Sequence, residues 1–229
     1  MRTGLAYRIS GALAGPDEFA ELEGRGMRSI VDLRSEREDR SAVIDWATRT
    51  GVGYFNFPIA VGDYSGGRYE GIWEAIEQDR HVEWLRDAYI QLAVDFGPQL
   101  AGALERISQG FPCGFGCAAG KDRTGIMTAY LQVLLGASEE TAIRSYLEKA
   151  PTVGQLRPQL TRLYGIGPDD EIPPGMLHIM VVTEDNMNVA FDAVRKRGGV
   201  EAFLTEHGLS SEAVQRLRDA LIEPAQTTV

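Results

Sequence analysis

The chain has 229 residues, of which 44% are hydrophobic and 24% are charged, a composition typical of a soluble globular protein of one domain or a domain with a small appendage. Its net charge of −10 argues against nucleic acid and anionic membranes as main partners, and an anionic substrate would need a locally positive site. The sequence has no apolar run of about 18 residues, so a membrane-spanning helix is not expected. It also lacks a signal-peptide pattern and a disulfide framework, which argues against a secreted protein. We therefore expect a cytoplasmic protein without integral membrane contact.

The first part of the chain predicts short elements separated by turns. A short helix is expected over residues 17–23, and "SIVDL" at 29–33 is typical of a strand. The charged run at 34–40 indicates a solvated turn, in which Arg34 is a lesser candidate for touching substrate. The alternating, aromatic segment "GYFNFPI" at 53–59 predicts a second strand.

Helices dominate the middle of the chain. Apolar residues recur at steps of three and four between residues 69 and 107, which predicts interrupted helices. A strand is expected over 111–115 and an apolar helix over 126–135, and Ser138 is a candidate N-cap for the next helix. Strands that alternate with helices indicate an α/β fold.

A proline-, glycine- and acid-rich stretch at 168–174 is the best linker candidate. Two helices are expected after it, with Thr183 and Ser210 as their N-caps. We interpret residues 1–229 as one domain, with a helical C-terminal part from about residue 175 to 229 packing on it.

The segment "FPCGFGCAAGKDRTG" at 111–125 is typical of an anion site. A strand, a tight turn and a helix N-terminus bring backbone N–H groups together, and the helix dipole adds positive potential there. Gly120 permits the backbone angles that such a turn needs. Lys121 and Arg123 add positive charge, and the planar fork of arginine matches two phosphate oxygens.

The same field favours the thiolate form of Cys117. A thiolate beneath a bound phosphate is an in-line nucleophile, whose product is a cysteinyl-phosphate that water then hydrolyses. The leaving alkoxide or phenoxide requires a proton donor.

The string "CAAGKDRTG" at 117–125 resembles the phosphate-binding loop of the cysteine-dependent phosphatases, the protein-tyrosine and dual-specificity superfamily. It is most similar to bacterial tyrosine and lipid phosphatases whose loop contains GKDRTG. Weaker similarity to the same proteins extends over segments 6–13, 26–39 and 199–221. The resemblance implies a protein-tyrosine-phosphatase-like α/β fold, with a small mixed or parallel central sheet flanked by helices. It also implies catalysis without metal or cofactor.

The resemblance assigns roles to the loop residues. It makes Cys117 the nucleophile, Arg123 the bidentate phosphate ligand and transition-state stabiliser, and Thr124 a hydrogen-bond donor to the sulfur that helps hydrolyse the intermediate. The phosphate cradle is formed by the backbone amides of Ala118, Ala119, Gly120, Lys121, Asp122 and Arg123.

The general acid has two candidates. The resemblance points to Asp122, although its two cationic neighbours favour the ionised carboxylate, so it would need compensating burial to stay protonated. Asp122 as a loop-stabilising partner of a neighbouring cation is an equal alternative. Asp63, in the loop after the second strand, is the second candidate, with a solvated loop carboxylate as the alternative.

One position departs from the family pattern. The family has a histidine directly before the nucleophile, where it orders the loop and favours the thiolate, and this chain has Gly116. We therefore expect a weaker thiolate, and a phosphate-binding protein with poor catalysis is an alternative.

These residues admit other interpretations. An ATP-binding P-loop fails because Phe115 and Asp122 occupy positions that need glycine and a hydroxyl. Cys113 is either a resolving thiol for Cys117 or a small buried residue. The three histidines lack metal-ligand spacing, and the stripe at 73–92 forms either core or a lid over the site.

The sequence therefore predicts a phosphate-monoester hydrolase. A phosphoprotein, a phosphoinositide or a small phosphorylated metabolite such as a nucleoside, sugar or inositol phosphate are all compatible substrates. A non-catalytic phosphate-binding module and a redox sensor that uses both cysteines are the competing classes.

Overall fold

The structure is a computed structural model that describes residues 2–10, 16–61, 64–65, 68–69 and 71–223. Within these ranges, four parallel strands form the central sheet in the order β1-β6-β2-β3, and β4 and β5 form a small antiparallel pair. The strands are β1 Ala6–Ser10, β2 Ser29–Asp32, β3 Gly53–Asn56, β4 Tyr64–Ser65, β5 Arg68–Tyr69 and β6 Cys113–Cys117.

Helices account for most of the remaining described chain, and α6 directly follows the turn after β6. They are α1 Pro16–Gly24, α2 Ser41–Thr50, α3 Ile72–Glu77, α4 His81–Val94, α5 Gly97–Ile107, α6 Asp122–Leu134, α7 Glu139–Glu148, α8 Val153–Tyr164, α9 Pro174–Met180, α10 Glu184–Arg195, α11 Val200–Glu206 and α12 Ser211–Leu221. The prediction of an α/β fold with a small parallel sheet flanked by helices is confirmed. None of the described helices has the length and apolar composition that crossing a membrane requires.

The sheet is covered on both faces. Ile30 packs with α1 and α2 in a small apolar cluster around Trp46, whereas its neighbour Val31 belongs to the large cluster formed with the later helices. Successive side chains of a strand point to opposite faces, so the two clusters lie on opposite sides of the sheet.

Strand β6 alternates between cysteine or phenylalanine and glycine because its two faces differ. Cys113, Phe115 and Cys117 are buried in the large cluster. On the other face, a Cβ at Gly114 would lie 2.8 Å from the Cδ1 atom of Ile30. Glycine at this position therefore leaves room for the end of the Ile30 side chain.

The boundaries around the loop differ from the prediction. Strand β6 begins two residues later than expected, since Pro112 has no N–H to give to the ladder, and it continues to Cys117. Helix α6 begins at Asp122, four residues before the expected start at residue 126. Helix α2 and strand β1 had no predicted counterpart.

The C-terminal part contains more helices than predicted. Four described helices, α9 to α12, follow the stretch at 168–174 in place of the expected two. The predicted caps are confirmed, because Ser138, Thr183 and Ser210 each accept a hydrogen bond from a backbone N–H in the first turn of the next helix.

Candidate active site

The predicted phosphate loop lies where β6 meets α6, at the carboxyl edge of the parallel sheet. Gly120 has a φ of +65°, in the left-handed region that favours glycine. Two side chains of β1 hold the loop carbonyls. Ser10 Oγ donates to the Ala118 carbonyl at 2.8 Å, and Arg8 Nη2 donates to the Gly120 carbonyl at 2.8 Å.

The predicted nucleophile is enclosed. Cys117 is 2% exposed, and the fully buried Thr124 donates from Oγ1 to its sulfur at 3.1 Å. Thr124 lies in the first turns of α6, so this donor and the helix N-terminus act on the sulfur from the same side. A hydrogen bond to the sulfur and a positive helix end both favour the thiolate over the thiol.

The guanidinium of Arg123 is held in a buried ion pair that the sequence did not indicate. Its Nη1 and Nη2 atoms donate to the two carboxylate oxygens of Glu38 at 2.6 and 2.9 Å, and Nη1 also donates to the Ile59 carbonyl at 3.1 Å. Both side chains are about 5% exposed or less. A guanidinium has five N–H donors, so an arginine held by a carboxylate on one edge can bind an oxyanion through another.

The expectation of a solvated turn at 34–40 is wrong for three of its residues. Arg34, Ser35 and Glu38 are buried, because the chain folds back over the carboxyl edge of β2. Arg34 donates to the carboxylate of Asp32 and to the Asp39 carbonyl, so the structure gives it scaffold contacts. The sequence feature that could have indicated Glu38 is its place in the turn after β2, because β2 neighbours the loop strand β6 and ends at Asp32.

Asp122 lies in a network of polar side chains at the start of α6. It accepts a hydrogen bond from the Tyr89 hydroxyl and pairs with Lys121 Nζ at 2.9 Å. The Tyr89 and Tyr146 hydroxyls are 2.5 Å apart. Burial, and then the Asp122 charge, raise the pKa of both Tyr89 and Tyr146, so both phenols remain protonated at neutral pH.

An apolar cleft opens beside this network. Its volume is about 40 Å³, little more than the space of a water molecule, and Asp122 and Lys121 are among its lining residues. Lys121 Nζ also donates to the Ile179 carbonyl at 2.8 Å, which ties the loop to the end of α9. The other lining residues are Val61, Trp84, Leu85, Ala88, Tyr89, Leu92, Ile179 and Met180. The predicted stripe at 73–92 therefore contributes to both core and cleft.

The two cysteines cannot act as a disulfide pair in this fold. They lie at the two ends of β6, and four residues of extended strand separate Cα atoms by about 13 Å, beyond the roughly 7 Å limit for a disulfide. Burial raises the pKa of Cys113 to about 12, so it stays a neutral thiol. The resolving-thiol hypothesis is contradicted, and Cys113 is a small core residue.

Asp63 lies outside the described residues. His81 and His178 are closer than their sequence separation suggested, with ring centroids 5.3 Å apart. Among the described residues, no group of three or more His, Cys, Asp or Glu side chains could hold a metal ion.

The protein is an α/β protein in which a buried cysteine, a glycine turn and a carboxylate-held arginine meet at a helix N-terminus, an arrangement typical of an anion site. The family model described as "Tyrosine phosphatase family" matches residues 1–223, and the chain belongs to that family.

Two curated relatives agree with this family. A protein of Cupriavidus necator whose name places it among the tyrosine-protein phosphatases is 25% identical over 195 residues, covering 84% of this chain and 71% of the relative. The triple specificity protein phosphatase PtpB of Mycobacterium tuberculosis is 24% identical over 156 residues, covering 63% of this chain and 56% of the relative. The chain thus spans little more than half of the second relative's length.

Proposed function

We propose that the protein hydrolyses phosphate monoesters through a cysteinyl-phosphate on Cys117. The observation that carries this proposal is the position of its sulfur, which lies at the end of β6 and accepts a hydrogen bond from Thr124 at 3.1 Å. The turn that follows leads into α6, whose second residue is the carboxylate-held Arg123. The helix N-terminus and the guanidinium can bind a tetrahedral phosphate, and the thiolate can attack its phosphorus atom.

In the first step, the Cys117 sulfur attacks phosphorus, an S–P bond forms, and the P–O bond to the leaving group breaks. The leaving oxygen takes a proton from Asp122 or from water. Arg123 and the amides of residues 118–123 neutralise charge on the three equatorial oxygens. In the second step, water attacks phosphorus, the S–P bond breaks, and orthophosphate leaves. Ionised Asp122 accepts the water proton in this step.

Asp122 also influences which leaving group is favoured. Its carboxylate pairs with Lys121 at 2.9 Å and accepts a hydrogen bond from the Tyr89 hydroxyl. A carboxyl group engaged by these two partners is a poor proton donor to a leaving group, so esters of acidic alcohols should react best. A phenol is such a leaving group, since the pKa of a tyrosine hydroxyl is about 10.

The cleft supports the same substrate class. Its apolar wall, formed in part by Trp84, Leu85 and Met180, adjoins Asp122 and Lys121. The cleft, of about 40 Å³, is too small to enclose an aromatic ring, but a ring could lie against this wall at the mouth of the cleft and bury apolar area there. We therefore propose phosphotyrosine or another aryl phosphate as the preferred substrate, ahead of phosphoserine, phosphoinositides and small sugar or nucleoside phosphates.

The test compares hydrolysis of p-nitrophenyl phosphate, a phosphotyrosine peptide, a phosphoserine peptide, a phosphoinositide and a sugar phosphate by the parent and by Cys117→Ser. Cys113→Ser is the matched cysteine control. We expect turnover of the aryl esters by the parent and the control, none by Cys117→Ser, and a phosphorylated Cys117 peptide after an acid quench. Phosphate binding without turnover by any variant would instead establish a binding module. Preferred turnover of a non-aryl ester would overturn the substrate assignment alone.

A further inference from the structure

The structure leaves no room for a side chain at position 116. A Cβ there would lie 2.0 Å from the carbonyl oxygen of Ile9 and 2.9 Å from its carbon, and both atoms belong to the backbone of the neighbouring strand β1. Gly116 pairs with Ile9 in the register of the two strands. The close approach of β1 therefore excludes the histidine that the family pattern places here, and something else has to hold the loop.

The strand that excludes the histidine also contacts the loop through its side chains. Arg8 and Ser10 are two residues apart and pair with Phe115 and Cys117, so they point to the sheet face that carries the Cys117 sulfur. Their side chains donate to the carbonyls of Gly120 and Ala118, both at 2.8 Å. Carbonyls held in this way keep the turn in one conformation.

The guanidinium of Arg8 also acts on the sulfur through its charge. Burial lowers the pKa of Arg8, while the negative charges of Cys117 and then Tyr146 raise it. Coulomb interactions are mutual, so the Arg8 cation stabilises the Cys117 thiolate as much as the thiolate stabilises the cation. In addition, Arg8 Nη1 is buried without a hydrogen-bond partner among the described residues, so this part of the guanidinium is shielded from water.

We propose that Arg8 and Ser10 replace the missing histidine as positioning residues: both fix the phosphate loop through its carbonyls, and Arg8 places a buried cation on the sheet face that carries the Cys117 sulfur. This inference rests on the proposed function of the same loop. The other charged or titratable groups around the sulfur are Lys121, Asp122 and the Arg123–Glu38 pair from the loop side, and Tyr89 and Tyr146 from α4 and α7.

The experiment measures the rate of iodoacetamide alkylation of Cys117 across a pH series by mass spectrometry, and kcat and KM for p-nitrophenyl phosphate. The variants are Arg8→Met, Arg8→Lys, Arg8→Gln and Ser10→Ala. Arg28→Met is the matched control, because Arg28 is exposed and lies at the opposite, amino-terminal edge of the sheet. Alkylation requires no turnover, so it reports on Arg8 even if the parent hydrolyses nothing.

We expect Arg8→Met to slow alkylation at neutral pH about tenfold and to lower kcat by a similar factor, as loss of a nearby cation would. Arg8→Lys keeps the charge and should retain most of the alkylation rate. Ser10→Ala should raise KM several-fold at an unchanged alkylation rate, and Arg28→Met should match the parent.

A folded Arg8→Met protein that alkylates and turns over like the parent would overturn the proposal, even if its melting temperature falls. If Arg8→Met does not fold, the alkylation rates of Arg8→Lys and Arg8→Gln are compared instead, at low temperature. Faster alkylation of the lysine variant supports the proposal, and equal rates refute it.

Discussion

At the scale of single residues, Gly116 is required by packing rather than by backbone angles. The Ile9 carbonyl oxygen occupies the space of a Cβ at 2.0 Å. Any side chain at residue 116 must push β1 away from β6 and disturb the Arg8 and Ser10 contacts with the loop.

We therefore expect Gly116→Ala to lower the free energy of unfolding by about 2–4 kcal/mol, as measured by urea unfolding. Gly116→His, which restores the family residue, should be at least as destabilising and should not raise kcat. Gly110→Ala is the control, since a Cβ at Gly110 meets nothing within 4 Å. Higher activity in a stable Gly116→His protein would contradict this account.

Glu38 is the residue on which the orientation of Arg123 depends. Glu38→Gln removes the carboxylate charge from this buried ion pair, and breaking such a pair costs about 3 kcal/mol or more. If Arg123 binds the phosphate as proposed, kcat/KM for p-nitrophenyl phosphate should fall at least about tenfold, because the guanidinium loses its two hydrogen bonds to a charged carboxylate. The exposed neighbour Glu36 provides the control Glu36→Gln, which should match the parent in both measurements.

The sequence could predict the site residues that lie close together in the chain, but not the partners that reach them from other elements. The loop residues Cys117, Gly120 and Arg123 were found because the turn places them together by short-range spacing. Glu38, Arg8 and Tyr89 were missed as partners, since each reaches the loop across a strand pairing or a helix contact. Local patterns carry no record of such long-range contacts.

At the scale of elements, strand β6 places its two cysteines in different environments, so their thiols should differ in reactivity. The Cys113 end is sealed in the core, where burial raises the thiol pKa to about 12, while the Cys117 end faces the helix N-terminus. Near pH 8 we expect iodoacetamide to label Cys117 and leave Cys113 unmodified in the folded protein, as read by peptide mass spectrometry. Labelling of Cys113 should require unfolding in urea or a pH close to 12. Peroxide treatment that yields an intramolecular disulfide would contradict this strand geometry.

Helix α4 contributes the phenol that contacts Asp122. Tyr89→Phe removes a hydrogen-bond donor to the Asp122 carboxylate. We expect kcat for p-nitrophenyl phosphate to fall about fivefold, because the carboxylate is then positioned less firmly beside the loop. Tyr130→Phe is the matched control, because Tyr130 is also buried but donates to the Ala93 carbonyl. A Tyr89→Phe protein with the kcat of the parent would show that the phenol does not position Asp122.

Element boundaries were less predictable than element types. The α/β class was correct because apolar periodicity survives over whole helices, but β1 was missed, since its "AYRIS" sequence alternates over only five residues. Helix α2 was missed because it has only 10 residues and its apolar face is marked by only three buried residues, Val43, Trp46 and Ala47.

At the scale of the whole molecule, the large apolar cluster joins the sheet to the C-terminal helices. Phe203 of α11 is fully buried, and its ring contacts Tyr130 of α6 at 6.5 Å between centroids. We propose that the phosphatase core and residues from about 175 onward unfold as one domain.

Phe203→Ala should accordingly lower the free energy of unfolding by about 3–5 kcal/mol. Circular dichroism and p-nitrophenyl phosphate activity should lose signal at the same urea concentration, as a two-state protein requires. The half-exposed Leu147 gives the control Leu147→Ala, with a change below about 1 kcal/mol. Separate transitions for the two probes would divide the chain into two folding units.

The tryptophans are distributed unevenly around the cleft. Trp46 lies in the small cluster behind the sheet and stacks on Phe19, whereas Trp84 lines the wall next to Asp122 and Lys121. The third tryptophan, Trp73, is 37% exposed and packs edge-on against Tyr164. In a Trp73→Phe background, a light-absorbing ester seated on that wall should quench Trp84 more than Trp46. Trp84 would then report occupancy of the wall in the Cys117→Ser protein without any chemical step.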